Sequence, residues 1–355
     1  MASPAVTVEV LPAAYGDSIL VTCAGRSRPW RLLVDTGPDE CWPSLSTRLA
    51  QIKPDRYGKR RIDVAVISHV DHDHIGCAKA LFSDKSLGLS FGDVWFNAPV
   101  MPASKSVAEG QSLAVLLGAS PGLLPWNKAW QGRHAVTPAD ALFVELPVAP
   151  GKPKITLLSP SPASLTAMFK AWKAELTRLP AKVALAVPPS ASRQVVDLEA
   201  LARKKTAVDR AAPNGSSIAF LLEHKGRSVL LAADAHPTVL IPALTALAAH
   251  RKAALPFQFD IFKLSHHGSR ANVTVDLMRT AQAQHYVFST NGAFFGHPDD
   301  EGVARAIVEG GAGSELWFNY RNGRTEKWAS QELQQRYGYS VHLPDETGSC
   351  SISLS

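Results

Sequence analysis

The chain has 355 residues, of which 46% are hydrophobic and 19% charged, so it can bury a substantial core and is not of the disordered type. Its formal charge of +6 favours an anionic partner only slightly. No run approaches the roughly 18 apolar residues of a membrane-spanning helix, and the N-terminus lacks the features of a signal peptide. The four cysteines have no metal-binding or disulfide-framework spacing. A cytoplasmic protein with reduced thiols is therefore expected.

The first part of the chain alternates short β-rich runs with turns, which predicts a hairpin meander that feeds a sheet. The predicted strands are Val6–Leu11, Ser18–Cys23, Arg31–Val34 and Val64–Ser68. A helix is predicted to begin at Cys77–Phe82, and a further strand at Asp93–Phe96.

Three histidines and two aspartates lie within the six residues His69–His74, directly after the apolar run Asp63–Ile67. A β-branched run of this length is typical of a buried strand, so the cluster is predicted to lie on the loop at its C-terminal end. Ligands and metals collect at such strand ends in α/β proteins. Imidazole and carboxylate groups together can hold two adjacent divalent ions.

Residues from about 101 to 150 are predicted to form an insertion that borders this loop, with a helix at Ser106–Leu117. A strand at Lys154–Leu158 and an amphipathic helix at Pro162–Leu179 follow. The segment from about 180 to 213 is rich in alanine, proline and basic residues, which predicts a mobile connection or lid. Its cluster Arg203–Lys205 is either a solvated helix face or a contact for a phosphate backbone.

From Ser216 onward, apolar runs alternate with helical segments. This alternation predicts helices on both faces of paired sheets. The predicted strands are Ile218–Glu223, Val229–Ala232, Phe259–Leu264, Tyr286–Ser289 and Leu316–Asn319, and the predicted helices are Leu240–His250 and Val275–Gln284. We predict one domain over residues 1–355, with a C-terminal extension from about 326 to 355.

The predicted loop His69–His74, called the metal loop below, resembles the His-x-His-x-Asp-His motif of the metallo-β-lactamase superfamily. His69, Asp73 and His74 match three of its positions, and Asp71 stands where the second histidine normally lies. This variant is similar to the hydrolase domain of the DNA-uptake protein ComEC and its free-standing relatives. Further similarities follow in the same order at Gly16–Leu20, Val34–Gly37, Asn214–Ile218, Ala233–Ala235, His266–Ser269, Gly296–Pro298 and Thr347–Leu354.

The resemblance implies an α/β fold, a metallo-β-lactamase-like αββα four-layer sandwich. It also implies a binuclear metallo-hydrolase that binds two divalent ions, manganese or zinc. His69 and Asp71 would hold the first ion, and Asp73, His74 and His297 the second. Asp234 follows an apolar strand, so its carboxylate could bridge both ions.

Asp73 and His267 are the predicted catalytic residues. Asp73 would orient a metal-bridged hydroxide, and His267 would act as a general acid or phosphate contact, or would replace His297 as a ligand. A further set is predicted to support the metals or to contact substrate: Asp35, Asn214, Ser217, His266 and Ser269. Asn214 stands roughly where the third histidine of the first metal site would be, and an amide oxygen is a weak ligand.

Cleavage of phosphodiester bonds in DNA or RNA is the activity that the resemblance implies, which makes nucleic acid the expected partner. A small-molecule hydrolase acting on a nucleotide, a choline-phosphate ester or a lactone is the alternative, because one fold can host all these reactions. A non-catalytic platform is disfavoured, because the ligand residues of the motif are intact.

Overall fold

The computed structural model describes residues 4–99, 108–119, 122, 124–175, 197–345 and 348–355. Its strands are β1 Val6–Val10, β2 Ile19–Cys23, β3 Trp30–Val34, β4 Arg60–Ile62, β5 Val64–Val66, β6 Leu89–Phe91, β7 Val94–Trp95, β8 Val144–Glu145, β9 Lys154–Ser159, β10 Ala219–His224, β11 Arg227–Leu231, β12 Phe257–Lys263, β13 Ala281–Phe288, β14 Glu315–Phe318, β15 Ser340–His342 and β16 Cys350–Leu354. Its α-helices are α1 Trp42–Ala50, α2 His72–Ile75, α3 Ala78–Ser83, α4 Ala108–Ala119, α5 Pro162–Glu175, α6 Leu198–Arg203, α7 Ala212–Gly215, α8 Pro237–His250, α9 Val275–Thr280, α10 Asp300–Val308, α11 Gly323–Glu326 and α12 Gln331–Tyr337.

Two large sheets dominate the described part of the chain. The first has the strand order β16-β1-β2-β3-β5-β7, antiparallel up to β3 and parallel from β3 to β7. The second has the order β15-β14-β13-β12-β11-β10-β9-β8, and its strands β11 to β15 run parallel. Strands β4 and β6 form a small separate sheet. Parallel neighbours end at the same edge of a sheet, where loops can combine into one site.

Apolar side chains between the two sheets form a central core. Because successive side chains of a strand point to opposite faces, Val21 of β2 and Phe220 of β10 belong to this core. On β2, the neighbouring Leu20 instead packs in a cluster with Leu45 and Leu49 of α1.

The outward face of the second sheet is covered in the same way. Leu230 of β11 packs in a cluster with Leu244 of α8 and Val303 of α10. Helices therefore lie on the outer face of each sheet, which confirms the predicted α/β class. No helix among the described residues combines the length and apolar character needed to cross a membrane.

One predicted helix is wrong in its second half. Helix α9 ends at Thr280, and the residues from Ala281 onward form β13 instead of continuing to Gln284. The side chains of Ala281 and Ala283 are buried, whereas Gln284 is exposed, which is the period of a strand. The strand forms because β13 pairs with β12 on one side and with β14 on the other.

Three predicted segments lie partly outside the described residues. The predicted helix Pro162–Leu179 is described as α5 up to Glu175, and 176–179 lie outside the described residues. Of the predicted insertion, 108–119 form α4, whose Gly110 packs beside Val70 of the metal loop. Of the predicted mobile connection, 180–196 lie outside the described residues, and 198–203 form α6. Within α6, Leu198 and Ala202 are buried, and Arg305 of α10 donates to the Ala202 carbonyl.

Candidate metal centre

Three loops at the C-terminal ends of strands converge on one buried site. The loop after β5 continues into the short helix α2 and carries His69–His74. The loop after β11 carries Asp234, and the turn after β12 carries His266 and His267. The structure thus brings together residues that are up to about 200 positions apart in the sequence.

Asp234 lies at the centre of four imidazole rings. Its Oδ2 atom is 3.4 Å from Nε2 of His74, 3.6 Å from Nε2 of His266 and 3.8 Å from Nε2 of His69. Its Oδ1 atom is 3.9 Å from Nε2 of His267. All four histidines therefore direct the same ring atom towards one carboxylate.

Two further aspartates complete the cluster. Asp73 Oδ2 is 3.2 Å from Nε2 of His267 and 3.6 Å from Nε2 of His74. Asp71 Oδ2 is 3.5 Å from Nε2 of His69, and its side chain is partly exposed. Most of these separations are long for hydrogen bonds. They lie within or a few tenths of an ångström above the roughly 3–3.5 Å between two ligands that each lie about 2.1 Å from one ion.

The donor set fits a metal centre. The triads His69–His74–Asp234 and Asp73–His74–His267 each have their ligand atoms within 4.8 Å of one another, and all these side chains are buried. Nε2 of His69 and Nε2 of His74 are buried without a hydrogen-bond partner among the described residues. Buried polar atoms without a partner are rare, and a bound ion is a standard explanation.

Asp35 orients His74 from behind the site. Its buried carboxylate lies 2.8 Å from Nδ1 of His74 and accepts two further hydrogen bonds, from the Ser68 amide and hydroxyl. With Nδ1 bound to a carboxylate, Nε2 of His74 remains available to an ion. Ser217 has a similar position, because its hydroxyl lies 3.3 Å from Nδ1 of His69.

A buried ion pair behind His267 was not predicted from the sequence. Nδ1 of His267 donates to the Ser289 carbonyl at 2.8 Å and lies 3.3 Å from Oδ1 of Asp17. The other oxygen of Asp17 accepts a hydrogen bond from Nζ of Lys263 at 2.7 Å. The carboxylate of Asp17 therefore links Lys263 to a histidine of the candidate metal centre.

Asp209 supports His266 from the segment that follows α6, and it was also missed. It accepts hydrogen bonds from the side-chain amides of Asn214 and Asn272, and it lies 3.5 Å from Nδ1 of His266. Although burial opposes ionisation, hydrogen bonds from His266, the Ala211 amide and the two asparagines hold the pKa of Asp209 well below its usual range. The amide of Asn214 is thereby directed into this network.

The backbone around the centre is strained at four positions. Asp35, Ala233, His266 and His267 adopt the left-handed region, with φ values of 59°, 45°, 50° and 55°. Each such residue costs on the order of 1–3 kcal/mol, and such strain clusters at functional sites. The two consecutive left-handed residues allow both neighbouring histidines to present Nε2 to Asp234, which an extended strand would not do.

Two predicted site residues do not belong to the cluster around Asp234: His297 lies at its edge, beside His266, and Ser269 lies outside it. His297 is not part of either triad; its ring lies 5.1 Å from that of His266, and its Nδ1 atom lies 3.4 Å from Asp299. Ser269 accepts a hydrogen bond from the Ala271 amide, so its hydroxyl stabilises a local turn. His267, the predicted alternative to His297 as a ligand, is the histidine that lies beside Asp73.

The site carries concentrated negative charge. Burial disfavours the charged form of His74, but the carboxylates of Asp234, Asp73 and Asp35 outweigh it and hold the pKa of His74 well above its usual range. For His267, Asp17 and Asp234 likewise outweigh burial and raise the pKa to about 9. A site that stabilises protons on its imidazoles this strongly also attracts metal cations, which compete for the same nitrogen atoms.

The loop between β1 and β2 packs directly on the metal loop. A Cβ atom at Gly16 would lie 1.8 Å from the Asp73 carbonyl oxygen, so only glycine fits. The Asp17 amide donates to that same carbonyl, and the Ser289 hydroxyl donates to the Gly16 carbonyl. This loop therefore holds the metal loop of the first sheet against residues of the second.

Comparisons with known proteins give little further information. No family model and no curated protein matches this sequence. Among solved structures, the chain is similar to Igni18, a metallo hydrolase from the hyperthermophilic archaeon Ignicoccus hospitalis. The TM-score is 0.41 and the identity 10%, over 98% of this chain and 100% of Igni18.

Proposed function

We propose that this protein is a metal-dependent hydrolase of the metallo-β-lactamase type, with an αββα sandwich and two divalent ions, and that it cleaves phosphodiester bonds in nucleic acid. One observation carries the proposal. Four histidines, of which His266 is partly exposed and the other three are buried, direct Nε2 towards Asp234, while protein groups hold Nδ1 on their far side. Histidines fixed in this way are typical metal ligands.

The ligands divide between two ions because an imidazole nitrogen has only one lone pair to donate. His74 lies in both triads but can serve only one ion. We assign Asp73, His74 and His267 to one ion, and His69, Asp71 and His266 to the other, with Asp234 shared. In this assignment His266 takes the place of the third histidine of the first metal site, where the sequence has Asn214. The mixed nitrogen and oxygen donors suit zinc as well as manganese.

Two ions bound here would act as Lewis acids, activate a water and clamp the attacking and leaving oxygens of a phosphodiester. Side chains of the protein would orient the attacking water and the phosphate. His74 and other groups keep the pKa of Asp73 below its usual range despite burial, so its carboxylate can accept a hydrogen bond from the attacking water. Both nitrogens of His267 are engaged in the site, which leaves His297 at the rim to contact the phosphate or leaving group.

The choice of nucleic acid as substrate rests on the resemblance to the ComEC hydrolase domain, and the net charge of +6 agrees with it. A two-ion site is also suited to a phosphodiester, because two oxygens of the reacting phosphorus must be stabilised at once. Reduced, widely spaced cysteines are compatible with a cytoplasmic location, which we propose with the same function.

The decisive experiment is an activity screen of the purified protein. Single-stranded DNA, double-stranded DNA, RNA and a chromogenic phosphodiester would each be tested with manganese, magnesium, zinc and nickel. We expect hydrolysis that a chelator abolishes and that Asp234→Asn lowers by at least about a hundredfold. Hydrolysis of nucleotides, choline-phosphate esters or lactones without activity on any polymer would favour the small-molecule alternative.

A further inference from the structure

An aromatic cluster borders the candidate metal centre. The ring of Tyr15 stacks on that of Phe294 at a centroid distance of 4.9 Å, and Phe295 packs edge-on against both rings. Phe295 also lies nearly parallel to the ring of His297, at 6.2 Å. Despite these contacts, Phe295 is 45% exposed. Single exposed apolar side chains are common on protein surfaces, but this ring is held in place by its neighbours and borders the candidate metal centre.

Two independent connections place this cluster beside the site. Tyr15 immediately precedes Gly16, which packs on the Asp73 carbonyl. On the other side, the ring of His297 lies 5.1 Å from that of His266. Burial and the carboxylates of Glu40 and Asp73 raise the pKa of Tyr15 to about 12, so its phenol stays uncharged near neutral pH.

Backbone hydrogen bonds fix the cluster in place. The Asn291 amide donates to the Ala14 carbonyl at 2.7 Å, which ties the loop of Phe294 and Phe295 to that of Tyr15. The Ala14 amide in turn donates to the Tyr320 hydroxyl at 2.8 Å. A ring held in position before binding loses little conformational entropy when a ligand stacks on it.

A cation lies next to the loop that carries Phe295. Nη1 of Arg324 donates to the Gly296 carbonyl at 2.6 Å, within the same loop. Among the residues that the structure describes, no carboxylate lies within ion-pair distance of Arg324. Its charge is therefore available to an anion bound beside Phe295.

We propose that Tyr15, Phe294 and Phe295 form a stacking platform for an unpaired base of single-stranded nucleic acid, next to the phosphodiester that is cleaved, with Arg324 holding a neighbouring phosphate. This inference rests on the proposed function. Stacking of bases on aromatic side chains, combined with a cation for the backbone, is how single strands are bound without sequence readout. A paired base does not offer its face to such a ring, so the platform favours single strands over duplexes.

The test compares two substrates and three variants. The substrates are a short oligothymidylate and the same oligomer with abasic residues around the cleavage position, which keep the phosphates but lack bases. Phe295→Ala removes the exposed ring, and Phe295→Trp keeps an aromatic surface. Tyr57→Ala is the matched control, because Tyr57 is 71% exposed and precedes β4, at the opposite end of β5 from the metal loop.

For the wild type we expect a lower KM on the oligothymidylate than on the abasic oligomer. Phe295→Ala should raise KM on the oligothymidylate about tenfold, as expected for one lost stacking contact, and should leave the abasic oligomer nearly unchanged. Phe295→Trp should retain the low KM, and Tyr57→Ala should behave as the wild type. Thermal unfolding of each variant checks that the fold is intact.

The outcomes separate this inference from the proposed function. Equal cleavage of both oligomers by the wild type, or an equal effect of Phe295→Ala on both, would overturn the platform while leaving the phosphodiesterase in place. Preference for duplex over single strand would also overturn it. If the wild type cleaves neither oligomer nor a chromogenic phosphodiester with any metal, the proposed function fails, and the platform fails with it.

Discussion

Lys263 and Asp17 form an ion pair in the interior of the protein, 246 positions apart in the sequence, with Nζ and Oδ2 separated by 2.7 Å. Both side chains are only 1% exposed. The Leu264 carbonyl accepts a second hydrogen bond from Nζ, and Oδ1 of Asp17 lies near His267. The pair thus connects the strand β12 to the loop after β1, directly behind the candidate metal centre.

Replacing one member of this pair should strongly destabilise the protein. Lys263→Met leaves the Asp17 carboxylate buried without its partner, which typically costs about 3–5 kcal/mol. Urea denaturation would measure the free energy of unfolding. The double variant Lys263→Met/Asp17→Leu should recover part of the loss. Lys154→Met is the control, because Lys154 pairs with Glu145 near the surface and should contribute no more than about 1 kcal/mol.

Asp35→Asn should weaken metal binding. Asp35 accepts three hydrogen bonds, and an amide has only one oxygen, so at least one donor would face the amide NH₂ group. Loss of such a supporting contact usually lowers metal affinity by about 10–100-fold. Calorimetric titration with manganese or zinc would measure it. Asp93→Asn provides a contrast, because Asp93 is buried but bonds Trp95 and the Lys128 amide; unchanged affinity in Asp35→Asn would contradict the role assigned to Asp35.

Asp73→Asn should lower turnover by at least about a hundredfold. The change keeps the shape of the side chain but removes a negative ligand and the carboxylate that would orient the water. Metal analysis should find up to two ions per chain in the wild type. Circular dichroism and thermal unfolding would establish that the variant is folded. If Asp73→Asn and Asp234→Asn both keep near-normal turnover, the assignment of the site is wrong.

Metal binding should release protons and strengthen as the pH rises. The pKa of His267 is raised to about 9 and that of His74 is also raised, so near pH 7 both rings are in the doubly protonated form. An ion that binds Nε2 must displace the proton on that atom. Apparent affinity should therefore increase from pH 6 to pH 9, by up to about tenfold per unit for each displaced proton. Titrations in two buffers with different ionisation enthalpies would count the protons. Affinity that is independent of pH over this range would argue against these histidines as ligands.

The basic cluster Arg203–Lys205 should contribute less to nucleic-acid binding than its sequence suggests. Arg203 pairs with Glu199, and Lys204 pairs with Glu301, so two of the three charges already have acidic partners. Changing all three residues to alanine should reduce the slope of log affinity against log salt by about one unit, instead of three. Cleavage of a small chromogenic phosphodiester should change little. A slope reduction near three would show that the acidic partners release both side chains to phosphates.

The sequence predicted most strands and the main candidate ligands because both depend on local patterns. An apolar run followed by polar ligand residues is a local signal, and it placed His69–His74 and Asp234 correctly at strand ends. The roles of His266 and His267 could not be read in this way. Their left-handed backbone conformations decide which ring faces the site, and the pattern of apolar and polar residues does not predict these conformations.

The supporting residues were missed for a related reason. Lys263 is a single charged residue in an otherwise apolar run, and only the folded structure reveals its distant partner Asp17. Asp209 lies in a segment whose composition favoured a mobile connection, yet its carboxylate bonds Asn214 and Asn272 in the site. Contacts of this kind depend on how strands are arranged in space, which local periodicity does not specify.

The close fit of Gly16 against the Asp73 carbonyl has a consequence for local unfolding. The loop from Ala14 to Asp17 bonds both the metal loop and the residues Ser289 and Asn291, so it cannot detach without breaking the site on both sides. A ligand that binds only the intact site stabilises every element that must open with it. Bound ions should therefore slow amide hydrogen exchange in β1 and β2, although neither strand contributes a ligand.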